Sequence, residues 1–190
     1  MSNVRQIGTI CLLGLIMVGC GGPEADESIV DPLDRVHQVL PELGHRNWVV
    51  IADSAYPAQS RPGIETIYVG GDQMDTVTRV LEAIDASPHV QASVYVDSEL
   101  DSVDEGDASG IGEYRETLSD YLKGRPVTSL PHERIIEKLD NAGKTFRILV
   151  LKTDMTLPYT TVFVELDCGY WSSEAERRLR RAVESKHAFP

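Results

Sequence analysis

The sequence is poor in cysteine, with three in 190 residues. Cys11 and Cys20 belong to a predicted export signal and its cleavage site, so Cys168 would be the one thiol left in the interior of the mature chain. This count excludes an intrachain disulfide framework, and stability must therefore come from a hydrophobic core. The length is ample for one core and no internal repeat is visible, so we expect a single folded domain.

Cationic side chains are scarce as well. The chain has 18 Lys and Arg against 30 Asp and Glu, which gives a formal net charge of −12 at pH 7. A surface this acidic repels phosphate groups, so we expect no nucleic-acid partner.

Several common site patterns are missing from the sequence. A calcium-binding EF-hand loop beginning at Asp97 would need Gly and Glu where Ser102 and Ala108 stand, so residues 97–112 are predicted to be a solvated loop. Residues 70–72 lack the full dinucleotide fingerprint and predict a tight turn with a helix cap. No Gly-x-Ser-x-Gly elbow supports a hydrolase, and the histidine spacing predicts no metal site.

The sequence also lacks a hydrophobic run of about 20 residues, the length that a transmembrane helix needs. A shorter run over 7–18 follows Arg5 and leads to a Met-Val-Gly-Cys sequence ending at Cys20, which resembles a bacterial lipoprotein processing site. We predict a signal peptide over 1–19, an acylated Cys20 and a polar tether over 20–29. The exported protein would then be lipid-anchored to a bacterial membrane, at a periplasmic or outer surface. A plain secretory signal or an uncleaved anchor is the alternative.

Strand and helix periodicities alternate through the rest of the chain, which predicts an α/β domain over 30–171 and a helical extension over 172–190. The continuous apolar run over 48–52 is typical of a strand that is covered on both faces. Further strands are predicted over 65–70, 90–96, 146–151 and 160–166, and helices over 30–40, 72–84, 114–122, 131–142 and 172–188.

Two side chains flank the predicted strand 48–52. His45 precedes it, and histidine ordinarily exchanges protons near neutral pH, although a purely structural bond to a loop carbonyl is an equal possibility. Asp53 follows the strand, where ligands of α/β sheets gather, although an Asp at this place can also serve its own turn.

Residues 43–60 resemble a passage of the D-ribose pyranase and L-fucose mutarotase (RbsD/FucU-like) family. The family has Leu/Met-Gly-His, a strand, an Asp and then Pro-Ala-x-Ser, which here are Leu43 to His45, Asp53 and Pro57 to Ser60. The resemblance covers most of 30–169. It implies a three-layer fold with a central, mostly parallel sheet flanked by helices, a homo-oligomer with its pocket near a subunit interface, and a reaction without a cofactor.

The same resemblance implies the activity and its residues. A free monosaccharide such as ribose or fucose would interconvert between anomers, or between pyranose and furanose forms, by acid/base opening and closing of its ring. His45 would be the principal acid/base, and Tyr159 a second proton carrier or hydroxyl contact. The substrate-binding residues would be Asp53, His132, Thr160 and Thr161.

One position departs from the family pattern. The family usually reads Gly-His-x-Asp, whereas this chain has Asn47 in place of the Asp that could orient the imidazole. A monosaccharide-binding lipoprotein without catalysis is therefore the alternative function, and a structural subunit of a ring-like assembly is a third.

Overall fold

The computed structural model describes Asp31 and residues 33–187. The predicted signal peptide over 1–19, the acylation site at Cys20 and the tether over 20–29 lie outside the described residues. Within the described part of the chain, no helix combines the length and the apolar character that crossing a bilayer requires.

The described chain alternates between helices and strands. The helices are α1 (Asp34–Val39), α2 (Gln73–Asp85), α3 (Ile111–Tyr121), α4 (His132–Ala142) and α5 (Ser173–His187), with short 3₁₀ turns at Leu40–Glu42 and Ser98–Ser102. The strands are β1 (Trp48–Ala52), β2 (Ile64–Tyr68), β3 (Val90–Asp97), β4 (Val127–Leu130), β5 (Ile148–Lys152) and β6 (Val162–Cys168).

The six strands of the described residues form one sheet in the order β2-β5-β1-β6-β3-β4. The pairs β1/β5, β2/β5 and β3/β4 are parallel, and β6 alone runs antiparallel to its neighbours β1 and β3. The predicted α/β fold with a mostly parallel central sheet is therefore confirmed. Because β6 is reversed, its first residues lie at the edge where the other strands end.

The central strand β1 supplies both faces of the core. Val49 and Ile51 pack with α1, α2 and α3, whereas Trp48, Val50 and Ala52 pack with α4 on the opposite face. All five side chains are buried, which explains the continuous apolar run where an exposed strand would alternate.

The structure differs from the sequence expectations at β4 and over residues 97–112. The edge strand β4 was not predicted, because its Val-Thr-Ser-Leu sequence is short and mostly exposed, with no apolar alternation. The segment predicted as a solvated loop over 97–112 contains the last residue of β3, a 3₁₀ turn and the start of α3. Asp97 in particular is buried, because it ends an internal strand beneath α4.

Candidate functional site

Polar side chains from four segments meet at the edge where the parallel strands end. Asp53 follows β1, Asp97 is the last residue of β3, and His132 begins α4 directly after β4. Thr161 immediately precedes the reversed strand β6. The carboxyl ends of parallel strands are the place where open α/β sheets bind their ligands.

Asp53 is held by the turn that follows its strand and by β6. One carboxylate oxygen accepts a hydrogen bond from the Ala55 N–H at 2.8 Å, which is the local turn contact considered from the sequence. The other accepts a hydrogen bond from the Thr161 hydroxyl at 3.0 Å. The carboxylate is only partly buried, so it serves the turn and remains open to a ligand hydroxyl.

Asp97 and His132 make a side-chain contact at this edge of the sheet, in which Asp97 is buried and His132 is partly exposed. His132 Nδ1 lies 3.1 Å from Asp97 Oδ2, and Oδ1 of the same carboxyl is buried without a hydrogen-bond partner in the described chain. Burial raises the pKa of Asp97 to about 6, although the contact with His132 opposes the rise.

Tyr159 completes the group on its solvent side. Its ring meets the His132 ring edge to face, with centroids 5.9 Å apart and planes at 77°. Tyr159 follows Pro158 in a left-handed backbone conformation, with φ at 57°, which costs on the order of 1 kcal/mol for a residue other than glycine. The Tyr159 side chain stays 41% exposed, so this edge of the sheet is open in the single chain.

Thr160 is buried and supports the site from below. Its hydroxyl donates to the carbonyl of Leu157 at 2.9 Å. Its own carbonyl accepts hydrogen bonds from the Tyr114 hydroxyl at 2.7 Å and from the side-chain amide of the buried Gln73. This network fixes the backbone that carries Tyr159 and Thr161.

His45 lies at the opposite edge of the sheet. The whole of β1, roughly 16 Å of strand, separates it from Asp53. His45 Nε2 lies 3.4 Å from Asp167 Oδ1, beside an open groove of about 610 Å³ that Trp171 and α5 also line. The structure therefore brings five of the six predicted catalytic or substrate-binding residues to one edge of the sheet, but within one chain it does not bring His45 to them.

No three His, Cys, Asp or Glu side chains in the described residues are grouped so as to hold a metal ion. A comparison with curated proteins finds no match. The model of the RbsD / FucU transport protein family matches residues 33–166, which is most of the described chain. The chain belongs to this family.

Solved structures of RbsD and FucU proteins resemble the fold. The Bacillus subtilis RbsD complexed with D-ribose has a TM-score of 0.50 at 20% identity, covering 70% of this chain and 91% of its own. The fucose mutarotase of Streptococcus pneumoniae in complex with L-fucose has a TM-score of 0.46 at 20% identity, covering 69% of this chain and 89% of its own. At 20% identity, the similarity to the Bacillus subtilis protein supports the fold alone.

Asn47 has a structural task in this RbsD/FucU-family chain. Its side-chain oxygen accepts from the Gly44 N–H at 2.7 Å, and its amide donates to the carbonyl of Arg147 at 3.2 Å. An Asp at this position could not make the second bond, because a carboxylate has no donor. The carboxylate near His45 comes instead from Asp167 on β6.

Asp97 and Asp167 are the site residues that sequence reasoning missed. Asp97 could have been found by the rule that singled out Asp53, since it also ends a predicted strand and another polar segment follows it. Asp167 has no such signal, because its place beside His45 depends on the antiparallel pairing of β6 with β1.

Proposed function

We propose that this RbsD/FucU-family protein is a cofactor-independent monosaccharide mutarotase or pyranase. One observation supports the proposal most strongly. The hydrogen-bonded pair of Asp53 and Thr161 lies at the same open edge of the sheet as His132 and Tyr159. Similar folds have been solved with D-ribose and with L-fucose bound. Such polar groups beside aromatic rings suit a small hydroxylated ligand.

The chemistry requires two proton transfers. A base removes the proton of the anomeric hydroxyl while an acid protonates the ring oxygen, and the ring opens; closing the ring reverses both transfers. His132 and Tyr159 lie in contact and can exchange protons with the sugar, while Asp53 orients a sugar hydroxyl through a charge-assisted hydrogen bond. A well-placed acid/base pair contributes about 10²- to 10⁴-fold to such a step.

We also propose that His45 serves the site of a second copy of the chain. The edge with Asp53 and Tyr159 is open in the single chain, and His45 with Asp167 stands exposed at the opposite edge. In a homo-oligomer, the edge that carries His45 in one chain could pack against the edge that carries Asp53 and Tyr159 in the next chain. This packing would bring His45 to the site. The predicted acylation of Cys20 would place this oligomer at a bacterial membrane surface.

The alternative function is a monosaccharide-binding lipoprotein that does not catalyse. Asn47 favours it, because its side chain is committed to the backbone and offers no charge to His45. Asp167 argues against it, because it supplies a carboxylate near the imidazole from another strand.

Exchange NMR on the folded domain from residue 31 onward tests the function with ribose, fucose, galactose and glucose. We expect faster interconversion of anomers or ring forms for at least one sugar, reduced about 100-fold or more in Tyr159→Phe and in His45→Ala. Binding without faster exchange would establish the sugar-binding alternative. The absence of both for all four sugars would refute both functions.

A mixing experiment tests the shared site. His45→Ala and Asp53→Asn each inactivate one half of the proposed composite site, so each variant alone should be slow. If the site is built from two copies, co-refolded mixtures should regain activity, because some sites combine the intact half of each variant. Mixtures that stay as slow as the separate variants would show that His45 and Asp53 do not act in one composite site.

A further inference from the structure

We propose that Asp97 is the positioning residue that decides which ring nitrogen of His132 carries a proton, and so sets whether Nε2 acts as base or acid. The inference rests on the proposed function for its catalytic meaning. It concerns a contact between two side chains that can be observed without any sugar.

The geometry separates the two ring nitrogens of His132. Nδ1 lies 3.1 Å from the Asp97 carboxyl, and the Asp97 side chain is 1% exposed. The His132 side chain is itself about one-third exposed. One nitrogen is therefore engaged inside the protein, and Nε2 is the one left for a ligand.

The His132 ring is held from several sides. Its backbone N–H donates to both carboxylate oxygens of Glu99, at 3.1 and 3.0 Å, which fixes the first turn of α4. Phe163 packs beside the ring with centroids 6.5 Å apart, and Tyr159 meets it edge to face. A ring held in this way cannot turn over freely to exchange its two nitrogens.

The charges that face Asp97 come from three elements. His132 on α4 contacts it directly, Glu99 follows on the 3₁₀ turn after β3, and Asp53 stands at the end of β1. Two of these three neighbours are carboxyl groups, and with burial they favour a proton on Asp97, while His132 opposes it.

The proton count follows from this arrangement. With Asp97 ionised, the carboxylate accepts the Nδ1–H, and the Nε2 lone pair can take the proton of an anomeric hydroxyl. His132 and Asp97 together then hold one more proton, and His132 is an imidazolium that the Asp97 carboxylate stabilises. Its Nε2–H can now act as an acid. Transfer of a proton from Nε2 to the sugar restores the starting state, so no other reactant is needed.

Imidazole ¹⁵N NMR of the domain without sugar provides the test, with the His132 signals assigned through a His132→Gln variant. At pH 8 the wild type should show the Nδ1–H tautomer of His132. Asp97→Ala should lose this preference, and Asp97→Asn serves if the alanine variant does not fold. Glu99→Gln is the matched control, since it removes a carboxylate that contacts the same residue only through the backbone, and it should keep the wild-type tautomer.

Exchange NMR with the active sugar adds the catalytic readout. We expect Asp97→Ala to slow exchange at pH 7.5 by about 100-fold, in line with the loss of an oriented base. An Nε2–H tautomer in the wild type, or an unchanged Nδ1–H tautomer in both Asp97 variants, would overturn the inference. If no sugar is turned over, the proposed function fails while the tautomer measurement still decides the role of Asp97.

Discussion

The buried carboxyl of Asp97 makes the stability of the protein depend on pH. Its pKa of about 6 in the folded chain lies above the ordinary value of 3.8. The folded state therefore binds this proton more tightly than the unfolded chain does. The resulting stabilisation is fully present below the ordinary pKa, and it is lost as the pH rises through 6. Over the whole range, the shift corresponds to about 3 kcal/mol.

Asp97→Asn removes this titration while keeping the shape of the side chain. From the two pKa values, the carboxyl of the wild type should lose about 1.4 kcal/mol of stabilisation between pH 5 and pH 7.5. The variant should therefore gain that amount relative to the wild type over the same interval. Urea unfolding at both pH values, followed by tryptophan fluorescence, to which the buried Trp48 contributes, measures the difference.

Asp101→Asn is the matched control, because it removes an exposed carboxyl from the same segment. Its stability difference from the wild type should vary little between the two pH values. The reasoning is refuted if the free energy of unfolding of Asp97→Asn also differs from that of the wild type by the same amount at both pH values. The carboxyl of Asp97 could not then have a raised pKa in the folded state.

Two further predictions concern packing and can be measured by urea unfolding. Gln73→Ala should lower the free energy of unfolding by about 3 kcal/mol, because Gln73 is fully buried and hydrogen-bonded. Glu82→Ala, on the exposed face of the same helix, is the control and should lower it by less than about 0.5 kcal/mol. Gly169→Ala should cost roughly 1–3 kcal/mol, because an added Cβ would lie 2.7 Å from the Val90 carbonyl oxygen; Gly44→Ala meets nothing within 4 Å and should be tolerated. If the two variants of either pair, Gln73→Ala with Glu82→Ala or Gly169→Ala with Gly44→Ala, lost the same stability, the predicted packing would be contradicted.

Much of the fold follows from local patterns in the sequence. The run from Trp48 to Ala52 matches β1 residue for residue, because a strand covered on both faces has to be apolar throughout. The expected cap at Asp72 is present, with its side chain accepting from the Asp75 N–H at 2.8 Å. These features depend on neighbours close in sequence, which is why they could be predicted.

The composition of the site depends on long-range pairing, and the sequence does not encode that pairing locally. The strand β4 forms by pairing in parallel with β3. Because α4 begins directly after β4, this pairing places His132 beside Asp97. The reversal of β6 places Thr161 beside Asp53 and Asp167 beside His45, at opposite edges. No periodicity could have shown these contacts.

The most direct test of the sugar site is the rate of ring-form exchange in Asp53→Asn compared with Asp154→Asn. Both substitutions neutralise a carboxylate that follows a parallel strand at the same edge, but Asp154 bonds Tyr68 and Gly71 away from the proposed site. We predict that Asp53→Asn loses at least about 90% of the catalysed rate, because the sugar hydroxyl loses a charged partner worth roughly 1.5–3 kcal/mol, while Asp154→Asn keeps most of it. Equal rates in the two variants, or a larger loss in Asp154→Asn, would contradict the placement of the sugar at the edge formed by Asp53, His132 and Tyr159.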